Sequence, residues 1–120
     1  MTPKTGADLV DEARAKIREL SVADAKAIYE RGEGAAFLDV REPNEFNLGH
    51  VPGAVHIPRG YLELKVEAVL PREAHVVVYC AAGLRSALAA ATLQSMGYNN
   101  AVSLAGGWRD WMLSGGAVEG

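Results

Sequence analysis

The segment His75-Val76-Val77-Val78-Tyr79-Cys80 constrains this chain more than any other. Three consecutive β-branched residues followed by an aromatic one leave no polar face, so the segment reads as a strand buried on both sides. Such strands lie at the centre of parallel sheets, covered by helices above and below. The residues after Cys80 fit that reading. Gly83 comes three residues after the cysteine, and Ser86 to Met96 is rich in alanine and leucine, a helix that stops at Gly97. Strand, glycine-bearing turn and helix in that order are the repeating unit of an α/β fold.

The other segments extend the pattern. Leu9, Val10, Ala13, Ile17 and Leu20 recur at helical spacing behind Thr5 and Asp8, which predicts a capped amphipathic helix over 6–20. Ser21 and Asp24 repeat the capping signature for a second helix over 22–31, stopped by Arg31-Gly32-Glu33-Gly34. Ala35 to Val40 is a short apolar run suited to a buried strand. Residues 41–54 hold two prolines, two glycines and two asparagines and read as mostly loop. Val55 to Pro58 is a short strand, and Tyr61 to Leu70 a helix ending before Pro71. Ala101 to Leu104 is a further strand. Gly106-Gly107 lead into a short helix whose Trp108, Trp111 and Met112 form a stripe read as core. The expected organisation is an N-terminal helical extension, 1–20, and one α/β domain, 21–115.

Composition narrows the function. A chain of 120 residues buries enough surface to fold without staples. Its net charge of -3 argues against nucleic acid or an anionic membrane surface as partner. No apolar run approaches the ~20 residues of a membrane span, and no apolar core of signal-peptide length appears near Met1, so a cytoplasmic location is expected. One cysteine allows no internal disulfide and no thioredoxin-like cycle with a resolving thiol. His50, His56 and His75 have no metal-ligand spacing, so neither a metal nor a cofactor is expected.

The chemistry is expected at the C-terminal end of the buried strand, where open parallel sheets bind their ligands. Cys80 ends that strand, and Ala81-Ala82-Gly83-Leu84-Arg85-Ser86 connect it to a helix. Amides in a helix's first turn lack helical partners and point at anions, and the helix dipole adds positive potential. Gly83 lets successive amides curl into an anion-binding concavity. A cysteine there is expected to carry its thiolate, the nucleophilic form, with the loop nitrogens aimed at it and solvent able to reach it.

At these residues the sequence resembles the rhodanese-like domain family. Leu38-Asp39-Val40-Arg41-Glu42-Pro43-Asn44-Glu45-Phe46, Gly49-His50-Val51-Pro52-Gly53-Ala54 and Ile57-Pro58 look like its front half. Val78 to Ser86 looks like its active-site strand and loop, and Gly97-Tyr98 with Leu104-Ala105-Gly106-Gly107-Trp108 like its closing segment. The resemblance implies a central parallel five-stranded sheet flanked by helices on both faces. It also implies a cysteine that carries sulfane sulfur as a persulfide.

Cys80 is then the expected nucleophile, taking sulfur from thiosulfate or a persulfide and passing it to a thiol or cyanide. Residues Ala81, Ala82, Gly83, Leu84, Arg85 and Ser86 are expected to hold the substrate. Arg85 and Arg41 either meet the donor's anionic end or pair with carboxylates. Asp39 and His50 are expected as structural support. Donor and acceptor are small molecules or proteins. Two rivals stand beside this reading. One is a non-catalytic rhodanese-like binding module, for which the apolar Ala81-Ala82 speaks. The other is a small phosphatase or arsenate reductase. Against it, Cys80 to Arg85 is C-x-x-x-x-R, one residue shorter than the phosphatase loop, and Tyr79 rather than histidine precedes the cysteine.

Overall fold

The valine-rich strand runs over Val76–Tyr79, all four residues buried, in the middle of a five-stranded sheet. The computed structural model describes residues 2–120. In chain order it contains α1 (Gly6–Lys16), β1 (Glu19–Leu20), α2 (Val22–Arg31), β2 (Ala36–Asp39), α3 (Pro43–Asn47), β3 (Val55–His56), α4 (Leu62–Val69), β4 (Val76–Tyr79), α5 (Leu84–Ser95), β5 (Ala101–Leu104) and α6 (Gly107–Leu113). The strand order is β1-β5-β4-β2-β3 and every pairing is parallel. Among the described residues no helix is long and apolar enough to cross a membrane.

Period-two alternation in β4 divides the core into two layers. Val76, Val78 and Cys80 pack with Leu62, Val66, Leu93 and Tyr98 from the α4 and α5 side. Val77 and Tyr79 pack with Ala25, Val102 and Trp111 on the α2 and α6 side. Full burial of side chains this size contributes about 1.5–3 kcal/mol each. The alternation therefore fixes which way Cys80 faces: toward α5, whose first turn follows it in the chain.

Four local expectations are corrected. The first helix ends at Lys16, not 20, because Ile17 is extended and residues 19–20 pair with β5 instead. The Arg18 and Leu20 carbonyls accept from Ser103 and Ala105 amides that would otherwise lie unpaired on the β5 edge. Residues 41–54 contain α3, with Pro43 in its first turn and reciprocal capping between Glu42 and Glu45. A single turn of 3-10 helix, Arg59–Tyr61, leads into α4. Finally, Trp111 is buried and half-buried Trp108 packs against the same cluster, but Met112 is 49% exposed, so the last helix gives the core two members of the stripe rather than three. Helix α1 packs along α5 through Ala13.

Candidate active site

Cys80 leaves β4 on the α5 face, and the chain turns immediately. Gly83 adopts φ +101° as the residue before α5, a conformation that costs an L side chain roughly 1–2 kcal/mol. The turn aims two amides back at the sulfur. Gly83 N–H donates to Cys80 Sγ at 3.1 Å and Ser86 N–H at 3.3 Å. The thiol meets Ser86 Oγ at 3.5 Å, and Ser86 Oγ shares a hydrogen bond of 2.9 Å with Ser103 Oγ. The loop nitrogens of Gly83 and Ser86 thus face the sulfur. Exposure differs from expectation: Cys80 is only 1% exposed, because β4, α5 and the loop close around it. Ala82 and Leu84 of the same loop are exposed.

The loop is also fixed from behind. Trp108 N–H donates to the Cys80 carbonyl at 2.8 Å and Arg109 N–H to that of Ala81 at 3.1 Å. Gly107, φ +57°, permits this approach. A Cβ there would stand 2.5 Å from the Cys80 carbonyl oxygen. With its carbonyls held by the start of α6, the loop turns its amides inward.

The arginines are engaged elsewhere. Arg85, half-buried, makes a two-pronged ion pair with Glu45 at 2.8 and 3.1 Å. The Arg85 hydrogen bond holds the Glu45 carboxyl down at about 2 against the opposing effect of burial. Arg41, expected with the substrate-binding residues, is 3% exposed. It binds Asp39 through Nε and Nη2 and donates to the Gly49 carbonyl at 2.7 Å. Its guanidinium lies over Trp108 and Tyr79, 4.8 and 5.6 Å from their ring centres. Asp39 also accepts from the Arg41 amide, so the two residues close on each other rather than on the cysteine loop. A buried charge is tolerated only with such partners.

His50 stacks on Phe46 at 3.6 Å, with Nδ1 2.9 Å from the Phe46 carbonyl and Nε2 3.2 Å from Glu119. It ties down the segment around Glu119, with which His50 also forms an antiparallel bridge. Burial raises Tyr79 well above the ordinary phenol range, and its hydroxyl accepts from Val51 N–H. Among the described residues no group of histidine, cysteine and acidic side chains is arranged to hold a metal.

Two contributors escape a sequence reading. Ser103 braces Ser86 from β5, and its signal was a lone hydroxyl within the apolar run Ala101 to Leu104. Glu45 reaches Arg85 across 40 positions, which no spacing rule reveals. Together these groups make a closed polar seat around one thiol. Its donors, the Gly83 and Ser86 amides, stabilise negative charge on sulfur.

Comparison with known proteins shows the family. A family model described as a rhodanese-like domain matches residues 21–114. The chain is 32% identical to the putative sulfur carrier protein YrkF of Bacillus subtilis over 90% of its own length and 58% of that protein's. It is 32% identical to a sulfurtransferase of Allochromatium vinosum, over 69% of this chain and 77% of the other. A solved structure from Rhodopseudomonas palustris CGA009, of unknown function and described as a possible tyrosine phosphatase, superposes with a TM-score of 0.90. It is 35% identical and covers 99% of this chain and 97% of its own. The chain therefore spans less than two thirds of the YrkF relative.

Proposed function

Because the chain belongs to the rhodanese-like domain family, we propose that it is a sulfurtransferase whose carrier is Cys80. One observation supports this above the rest: the Gly83 and Ser86 amides converge on the sulfur of the single cysteine. In the loading step the Cys80 thiolate attacks the outer sulfur of the donor. An S–S bond forms to Sγ, the donor's own bond to that sulfur breaks, and the pair of electrons departs with sulfite or a thiolate. The persulfide anion then carries its charge on the outer sulfur. Preorganised amides stabilise that charge without reorganising, as they do an oxyanion. In the discharge step an acceptor thiolate attacks the outer sulfur. A new S–S bond forms, the bond to Sγ breaks, and Cys80 leaves as thiolate again.

The donor in this proposal is a persulfide. Ala81 and Ala82 bring no charge, and Arg85 is tied to Glu45, so no residue from 81 to 86 offers a thiosulfate dianion an unpaired cation. With Cys80 closed from solvent, loading requires the loop around the thiol to open to the donor. A low-molecular-weight persulfide or a protein persulfide on an extended segment meets that demand. The phosphatase description of the Rhodopseudomonas palustris structure favours a second reading. The short loop opposes it here, since its amides already close on one sulfur and Arg85 is held by Glu45 rather than aimed into the seat.

Transfer from thiosulfate and from a low-molecular-weight persulfide to an acceptor thiol should be followed for the native protein and for Cys80→Ser. Turnover by the native protein, faster with the persulfide and absent in the variant, supports the proposal. Equal turnover by both proteins, or hydrolysis of a phosphate ester in place of sulfur transfer, refutes it.

A further inference from the structure

Helix α1 lies outside the family match, which begins at residue 21, yet it reaches the sulfur-binding loop. The Arg14 guanidinium stands 4.0 Å from the position a side chain would take on Gly83. It is 40% exposed and held only by a loose contact, Nε to Glu19 at 3.6 Å. Arg85 and Arg41 are both locked in short hydrogen-bonded pairs, so Arg14 is the less constrained guanidinium beside this loop. The same side chain borders an open groove of about 480 Å³ between α1 and α5. Ala7, Val10, Leu84 and Leu88 give it apolar walls, and Asp11 and Arg14 supply one charge of each sign from neighbouring turns of α1. Leu84 belongs to both the groove and the first turn of α5, so the groove borders the turn that follows Cys80.

From this juxtaposition we propose that the groove binds the acceptor, a small thiol bearing an α-amino acid group. Its carboxylate meets Arg14, its ammonium meets Asp11, and its thiol extends past Leu84 toward the outer sulfur on Cys80. The volume falls within the range of small-molecule sites, and one cation beside one anion complements a zwitterion rather than a simple anion. The groove also places an acceptor beside the turn that holds the thiol, since Leu84, one of its walls, begins α5. This inference rests on the sulfur-transfer reading, because it names the acceptor of that cycle.

The test separates the two claims. Protein loaded with sulfur is discharged with cysteine and with 2-mercaptoethanol, and the cysteine-to-mercaptoethanol ratio of second-order rates is compared across variants. Arg14→Ala and Asp11→Asn should each lower that ratio about tenfold, the worth of a charge-assisted hydrogen bond of ~1.4 kcal/mol. Leu88→Trp, which fills the groove, should lower it as well. In parallel, the unreactive S-methylcysteine is titrated against unloaded native protein by NMR, where shifts confined to the Ala7, Val10, Leu84 and Leu88 methyls are expected. An unchanged ratio in Arg14→Ala with loading intact overturns the acceptor site and leaves the sulfurtransferase standing. Failure to load overturns the sulfurtransferase reading, and S-methylcysteine then judges the groove by binding alone. Absence of methyl shifts overturns the groove.

Discussion

Two loops leave the same edge of the sheet from neighbouring parallel strands, and they use their polar groups in opposite ways. After β2, Asp39 and Arg41 bind each other through short hydrogen bonds, and Gly49 completes the guanidinium's partners. After β4, the Gly83 and Ser86 amides face a thiol that brings little hydrogen-bonding capacity of its own. Both loops stand where parallel sheets offer sites to ligands. The first closes on itself and becomes scaffold. The second leaves donors converging on a nucleophile and becomes the candidate for chemistry. Position at the strand ends is therefore insufficient to define a site. What decides is whether the local charges are already matched.

That contrast is open to attack from both sides. The largest expected effect lies in the scaffold loop. Asp39→Ala strands a buried arginine and should cost about 3–5 kcal/mol, read as a lower urea midpoint. A loss below ~1 kcal/mol, the range of exposed pairs, would show the Asp39–Arg41 pair to be as weak as a surface one. In the cysteine loop, Gly83→Ala forces φ +101° on a residue with a Cβ, a strain of roughly 1–3 kcal/mol. The added Cβ itself finds only ordinary contacts of 3.4 Å or more, so the cost is conformational. Relaxing that strain swings the 83 amide off the sulfur, and sulfur loading should slow more than stability falls. Parallel losses of both would make the loop merely structural.

The smallest effect lies between the loops, at Glu45 and Arg85. This pair is about one-third exposed, so solvent limits its contribution to about 0.5–1 kcal/mol. Glu45 is held down at about 2, below the ordinary carboxylate value. Its contribution is therefore present above the unfolded-state value of about 4.3 and is lost as pH falls toward 2. Glu45→Gln should flatten that part of the acid stability curve measured by urea unfolding between about pH 5 and 2. It also releases Arg85, so loading from thiosulfate should gain relative to loading from a persulfide. An unchanged donor preference would separate Arg85 from donor choice.

Legibility in the sequence followed the range of the interactions. Strand β4, helix α2 with its caps and the body of α5 are visible because neighbouring residues determine them: Ser21 accepts from the Asp24 amide, and Gly32 is left-handed as a helix stop should be, whereas α5 begins at Leu84 rather than Ser86, with Gly83 before it. The resemblance to a known family supplied the fifth strand and the sulfur chemistry, which composition and periodicity did not contain. Strand β1 was hidden since two residues carry no period, and only the unpaired β5 edge defines it. Helix α3 was hidden because Pro43, Asn44 and Asn47 read as loop until the Glu42 and Glu45 caps close. The fates of Arg41 and Arg85 were open because each could face a ligand or a carboxylate, and tertiary contacts alone choose. Burial of Cys80 likewise depends on how β4, α5 and the loop meet.

Whether Cys80 carries sulfur is tested most simply by the intact mass of the protein after exposure to a persulfide donor, followed by peptide mapping. The expected result is a gain of one sulfur atom, about 32 Da, confined to the peptide holding Cys80 and removed by an acceptor thiol. An unchanged mass, or added sulfur that no thiol removes, would contradict it.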